Sequence, residues 1–342
     1  MKAAIIEKPG VLTVRDVPMP VFGEYEALCQ LLYGATCTGT DQHLIAGRFP
    51  WPVTYPTILG HESIGRVVEV GRKVRNLRVG DLVTRVGAPA SPKGEFAVNW
   101  GGFAEFGVAG DWRAMQEDGL PPKQFNPYRI NQTLPADFDP AASTMMITWR
   151  ETLSYLTRMG VGAGARVLVV GSGGNGLSFV SHVANLGAAR VALIGSGDRA
   201  ATGRAAGATD YFDYKEADLD KHVAEAVPEK FDFIIDAVGK AGVLDHALRF
   251  LKPGGVVGIY GIDDYGQCTL NPVLAKVTFT YSHKGYDEAE THDRVVEFVK
   301  REKLDAGVWL DLARPFALAD IGSAFDAVAA RKFVKALVRL TA

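Results

Sequence analysis

The chain has 342 residues, longer than one ordinary domain and enough for two. Its 47% hydrophobic and 22% charged residues are those of a globular protein, and a formal net charge of −2 leaves no basic footprint for nucleic acid or an anionic membrane. No run of about 18 apolar residues offers a membrane span, and three scattered cysteines argue against a disulfide framework and for a reducing, cytoplasmic setting.

The first ten residues, MKAAIIEKPG, are too polar for a signal peptide and read as a first strand. Short β-branched runs at 27–33, 65–70 and 81–86, punctuated by Gly and Pro, predict a small antiparallel β domain over roughly the first 145 residues. Residues 111–139 carry Pro121, Pro122, Pro127 and Pro135 with little periodicity, and read as a long loop. A helix is expected over 140–158. Strand and helix then alternate: strands at 166–170, 190–194, 231–236 and 256–260, with helices at 177–186, 200–206 and 244–251. That rhythm predicts a parallel sheet covered by helices on both faces. A helix at 293–301 and a strand near 334–340 complete the chain.

Two motifs carry chemistry. Gly60-His61-Glu62 heads a strand, with Cys37 in a turn ahead of it. Thiolate, imidazole and carboxylate are the donors zinc prefers, and a catalytic site needs three of them plus an open position. The other reading of Cys37 is a small buried hydrophobe. The second motif, Gly171-Ser172-Gly173-Gly174-Asn175-Gly176, follows an apolar strand and opens a helix. Its first glycine permits the turn, the second the approach of a pyrophosphate, and the third close helix–strand packing.

Together these motifs resemble the zinc-containing alcohol dehydrogenase branch of the medium-chain dehydrogenase/reductase superfamily. The resemblance runs from Met1-Lys2-Ala3 to Lys335-Ala336-Leu337-Val338. It implies an α/β chain: a GroES-like antiparallel β domain over 1–145 and 290–342, and a Rossmann doubly wound parallel sheet over 146–289. It implies hydride transfer between an alcohol or polyol and NAD(P), with one zinc held by Cys37 and His61 and with Glu62 as an exchanging ligand or neighbour. The relay of the substrate proton falls to Thr40 of Thr40-Asp41-Gln42-His43, with His43 passing it on. One extra residue between Cys37 and Thr40 leaves Thr38 as the alternative.

The sequence departs from the family at the third zinc ligand, whose slot falls on Ile147 or Met146. Glu151, one helical turn beyond Ile147, shares its face and is the candidate to replace the missing ligand or act as acid/base. Its alternative is a surface pair with Arg150 or Arg158. The family's second zinc has no ligands here, because residues 88–112 contain no cysteine. The cofactor candidates are Gly171, Gly173, Gly174, Asn175, Gly176, Leu177, Ser196 and Arg199, with Val238 and Gly261 beyond the later strands. The position of the usual ribose-binding acid is Gly195. With Ser196 and Arg199 beside it, this favours NADP(H); Asp198 in the ribose role would favour NAD(H).

A homodimer or homotetramer is implied, with Lys276–Ser282 as the candidate edge strand. Phe49, Trp51, Tyr55, Trp100 and Trp149 either line a substrate pocket or simply pack. Two other functions fit the residues less well. One is a zinc-free enoyl or quinone reductase, supported by the vacant ligand slot and Thr148-Trp149. The other is a non-catalytic nucleotide-binding protein.

Overall fold

The computed structural model describes residues 1–271, 273 and 277–341. The chain forms two compact units, Met1–Ile147 with Asp305–Ala342, and Thr148–Leu304. The first unit begins with β1 (Lys2–Lys8), β2 (Val11–Asp16), β3 (Glu26–Ala35), α1 (Thr40–Ile45), β4 (Thr57–Ile58), β5 (Glu62–Val70), β6 (Leu82–Thr84), β7 (Ala97–Val98), β8 (Phe106–Gly110), α2 (Trp112–Glu117) and α3 (Pro122–Phe125). Helix α4 (Met146–Met159) leads into the second unit. There follow β9 (Arg166–Val170), α5 (Gly174–Asn185), β10 (Arg190–Gly195), α6 (Ala200–Ala205), β11 (Asp210–Asp213), α7 (Leu219–Ala226), β12 (Phe231–Asp236), α8 (Val243–Ala247), β13 (Leu251–Ile259), β14 (Phe279–Tyr281) and α9 (His292–Lys300). The first unit is then completed by β15 (Phe316–Ala317), α10 (Ile321–Ala329) and β16 (Leu337–Arg339). The chain re-enters it at Asp305, later than the 290 expected from sequence.

The first unit has a four-stranded sheet, β2-β1-β4-β7, and a second sheet ordered β15-β16-β3-β5-β6 with β8 also paired to β3. Strand β3 shows why: Ala27, Cys29 and Leu31 are buried while Leu28, Gln30 and Leu32 are only partly so, the period of two that gives a strand one core face. Ile5, Ile58, Leu59, Phe103 and Val338 share its core with Ile321 and Val328 of α10, so the C-terminal segment is part of this unit's interior.

Residues 111–139 are not a plain loop. Asp111 caps α2 by accepting the Ala114 N–H at 3.0 Å, and Pro122 opens α3, where its missing N–H costs nothing. A 3-10 turn follows over Asn126–Ile130. Pro121, Pro122 and Pro127, which read as breakers, mark helix or 3-10 starts.

The second unit is a six-stranded sheet ordered β11-β10-β9-β12-β13-β14, parallel throughout. Val167–Val169 and Val191–Ile194 are buried on both faces, as a covered parallel sheet demands. The chain starts at β9, runs outward through β10 and β11, then crosses back to β12. The crevice at the C-terminal ends of β9 and β12 is therefore the topological switch point. Strands β11 and helix α7 are elements that sequence reading left unassigned. Strand β14 ends the sheet, inside the expected edge strand Lys276–Ser282; Lys276 itself lies outside the described residues.

Candidate active site

Register in the first unit brings the metal candidates together. Strand β3 runs between β5 and β16, and Ala35 faces Glu62 on one side and Leu337 on the other, both antiparallel. Continued past the ladder, these pairings set Thr36 and Cys37 beside His61 and Gly60, and beside Ala336 and Lys335. The Thr36 N–H indeed donates to Ala336 O at 3.0 Å, and the Ala336 N–H to Thr36 Oγ1 at 2.9 Å. Gly60 has a φ of 98°, and a Cβ there would stand 2.5 Å from the Phe103 ring. Only glycine makes the turn that delivers His61.

Among the described residues, Cys37, His61 and Glu62 are the one group of three whose ligand atoms all lie within 4.8 Å of one another. All three are buried. Asp41, buried in the first turn of α1, accepts the Cys37 N–H through Oδ2 at 2.8 Å, and its Oδ1 stands 3.5 Å from His61 Nδ1. His61 Nε2 lies 3.8 Å from Glu62 Oε1. A carboxylate on the Nδ1 side thus turns Nε2 toward the ligand group, the way an outer carboxylate orients a metal-binding histidine. Burial disfavours the imidazolium, but Asp41 and Cys37 outweigh it and hold the His61 pKa well above its usual value. Cys29 is a small buried hydrophobe: it sits in β3 and burial pushes its thiol up to about 12.

Sequence reasoning missed Lys335. It is 1% exposed, and its Nζ donates to both Glu62 oxygens at 2.6 Å and to Thr36 O at 3.4 Å. Burial works against the ammonium, Glu62 more than offsets it, and the pKa is raised above the ordinary lysine value. The available signal was a lysine inside the apolar run Phe333–Val338. The donor set fits zinc: a thiolate and an imidazole with a carboxylate alongside, whose surplus negative charge Lys335 balances.

Thr40 opens α1, and His43 follows three residues later on the same face. His43 Nδ1 lies 2.6 Å from Gly39 O, an acceptor, so Nδ1 carries the proton and Nε2 is the basic nitrogen. Thr38 is exposed and its hydroxyl donates to Val334 O at 3.3 Å. The third-ligand slot holds two fully buried apolar side chains, Met146 and Ile147.

In the second unit, Glu151 is buried rather than on the surface, and accepts the Tyr260 hydroxyl at 3.0 Å. Arg150 bonds Glu288 at 2.7 Å and Arg158 bonds Glu290 at 2.8 Å. At the glycine motif, Gly171 has a φ of 112°, and a Cβ on Gly176 would stand 1.7 Å from Gly171 O. Strand β9, the turn and α5 therefore close only with glycine, and Gly174, Asn175 and Leu177 form the first turn of that helix. Val238 and Gly261 meet at the ends of β12 and β13: a Cβ on Gly261 would lie 2.0 Å from the Val238 carbonyl carbon. Buried Asp236 accepts the N–H groups of Val238 and Gly239, both at 2.9 Å, and fixes that loop.

At the end of β10 a Cβ on Gly195 would lie 2.5 Å from both Ser172 Cβ and the Tyr211 hydroxyl. No side chain, acidic or otherwise, fits there without movement. Ser196 donates its hydroxyl to Asp198, and its carbonyl accepts the Tyr211 hydroxyl at 2.5 Å. Asp198 therefore stands beside Ser196, with Arg199 next in the chain.

Residues 23–122 match the alcohol dehydrogenase GroES-like domain, and residues 174–301 match the zinc-binding dehydrogenase domain. Over 266 residues the chain is 30% identical to the NADP-dependent isopropanol dehydrogenase of Clostridium beijerinckii, covering 74% of each chain. The chain belongs to the medium-chain dehydrogenase/reductase superfamily. This medium-chain dehydrogenase/reductase is also 26% identical over 294 residues to D-arabinitol dehydrogenase 1 of Uromyces fabae, covering 80% of the chain and 78% of that relative. Its fold matches the alcohol dehydrogenase TADH from Thermus sp. ATN1, with a TM-score of 0.79, 21% identity and 99% of both chains covered. As a medium-chain dehydrogenase/reductase it is an oxidoreductase, with the GroES-like and parallel-sheet units its sequence predicts. No helix among the described residues is long and apolar enough to cross a membrane.

Proposed function

We propose that this oxidoreductase is a zinc-dependent, NAD(P)-linked dehydrogenase of an alcohol or polyol. The observation that carries this reading is the buried group of Cys37, His61 and Glu62, braced by Asp41 on one side and Lys335 on the other. Zinc supplies a Lewis acid and the nicotinamide a hydride acceptor. Cys37 and His61 hold the metal, and Glu62 stands by as its exchangeable third donor. Thr40 takes the substrate's hydroxyl proton, and His43 passes it to solvent through its basic Nε2. Glu151 serves as a second acid/base group. NADP(H) is the preferred cofactor: Gly195 excludes the usual acid, Ser196 and Arg199 are at hand, and the Clostridium relative is NADP-dependent. Asp198 moderates that preference. The second unit's edge strand, β14, pairs with a second copy to form at least a dimer.

The test is elemental analysis together with turnover of 2-propanol and a polyol such as arabinitol. About one zinc per chain, lost with activity in Cys37→Ser, is expected. A metal content near zero, unchanged in Cys37→Ser, overturns the reading. It would favour a zinc-free reductase of activated C=C bonds, the alternative to which the apolar Met146–Ile147 slot points.

A further inference from the structure

We propose that Trp100, backed by Phe49 and Trp51, selects substrates whose reacting carbon carries a flat unsaturated ring, benzylic alcohols and aldehydes being the simplest. The proposal rests on the alcohol dehydrogenase reading above. Its starting point is strain. Trp100 has a φ of 69°, the left-handed region that bulky side chains avoid, and it is followed by two glycines that take such angles freely. A residue held there persists only where its surroundings over-determine it, and such residues cluster at functional sites.

The surroundings do over-determine it. A Cβ on Gly87 would stand 1.8 Å from Trp100 O, and one on Gly101 would stand 2.3 Å from Ala88 O, so the two backbone segments lock together. Arg85, itself at a φ of 57°, donates its N–H to Ser63 O at 2.8 Å and places its guanidinium 5.8 Å from the indole centroid. Arg85 is thus a positioning residue for the indole. The result is an indole whose centroid lies 5.1 Å from that of His61, a metal-site residue.

The indole does not stand alone. The Phe49 ring meets it edge-on at 6.2 Å, and Trp51 meets Phe49 at 5.1 Å. Trp100 is 39% exposed and Trp51 49% exposed, so neither ring is spent on core packing. A ladder of rings therefore runs from the surface of the first unit to a buried metal ligand. Aromatic rings prefer edge-to-face and offset contacts with other rings, and one such contact is worth up to roughly tenfold in affinity beyond simple burial. An alkyl chain gains none of that increment.

The test compares kcat/KM for benzyl alcohol and 2-propanol in the zinc-loaded enzyme, with saturation-transfer NMR of benzyl alcohol as a readout that needs no turnover. The unmodified enzyme is expected to favour benzyl alcohol, and its ring protons to receive saturation. Trp100→Gly should lower the benzyl-to-propanol ratio roughly tenfold, mainly through KM, and abolish the ring signal, while Trp100→Phe restores part of both. The melting temperature of Trp100→Gly serves only to show that the variant folds, because relief of the left-handed φ and loss of the Phe49, His61 and Arg85 contacts oppose one another. No ring preference in the unmodified enzyme, or a ratio unchanged in Trp100→Gly, overturns the inference. A ring signal that vanishes in Trp100→Gly without turnover of any alcohol supports the ring contact at Trp100 but sinks the dehydrogenase reading, and with it the claim that the bound ring is a substrate.

Discussion

Replacing Lys335 by Met should cost the metal-free protein more than any other single change near the site. Lys335 and Glu62 are 1% and 2% exposed, and the ammonium bonds both carboxylate oxygens at 2.6 Å. Methionine fills similar volume, so little cavity forms and the loss is electrostatic. Glu62 is left buried without its ammonium partner, which for a broken buried pair costs about 3 to 5 kcal/mol. For a unit of this size that lowers Tm by roughly 10 °C. Two controls make the origin legible. Lys335→Met with Glu62→Gln removes both charges and should recover most of the loss, to within about 1 kcal/mol of the unmodified protein. Saturating zinc should restore more stability to the single variant than to the double, because only the single variant has an unclamped carboxylate to offer the metal. Calorimetry in chelator and in zinc reads all three proteins. A single variant as stable as the double one would refute the pairing argument.

Five further outcomes are expected. His182, fully buried on α5, donates Nε2–H to Trp149 O at 2.9 Å, and burial lowers its pKa to about 3. A base with a depressed folded-state pKa contributes stability that is complete above its unfolded value near 6.5 and is lost as pH falls toward 3, so acid titration of stability should lose up to roughly 4 kcal/mol over that window, and His182→Gln should flatten the curve. Gly195→Asp should lower Tm, through overlap with Ser172 and Tyr211, rather than cleanly switch cofactor; Asp198→Asn should instead tighten NADP(H) several-fold in calorimetric titration by removing a charge beside the 2′-phosphate. Glu151→Gln should cut turnover at least tenfold with Tm within about 2 °C, and unchanged activity would remove Glu151 from the mechanism. Light scattering should give twice the 36.8 kDa chain mass or more, and a monomer at micromolar concentration would exclude pairing through β14.

What was legible in the sequence followed how local each signal is. The glycine motif, the parallel strands and the His61 turn are written in contiguous residues, and the structure places them as expected. That Cys37 and His61 come together with Glu62 was expected from their residue types alone. Lys335 was not readable, because nothing near it in sequence says that β16 joins the Tyr33–Ala35 end of β3. Strand β11 was hidden because Asp210-Tyr211-Phe212-Asp213 has acids at both ends and no apolar run, and a β-propensity signal needs one. Helix α3 was hidden because proline at a helix start looks, in isolation, like proline in a loop. Gly195 was read for the charge it lacks; its packing against Ser172 and Tyr211 appears only in three dimensions.

The pairing of β16 with β3 also sets the order in which the molecule can be made. Glu62 and Lys335 are separated by 273 positions, with the whole second unit between them. At about 5 to 20 residues per second, a ribosome needs roughly a quarter of a minute to a minute to cover that distance. The second unit is contiguous and can close early. Throughout that interval the Tyr33–Ala35 end of β3 has β5 on one side and no strand on the other, and Glu62 lacks the Lys335 ammonium. The nascent chain therefore carries an open strand edge and, at Glu62, a carboxylate still without its lysine partner, and a chaperone or an early metal ion acting in that window would act on this end of β3.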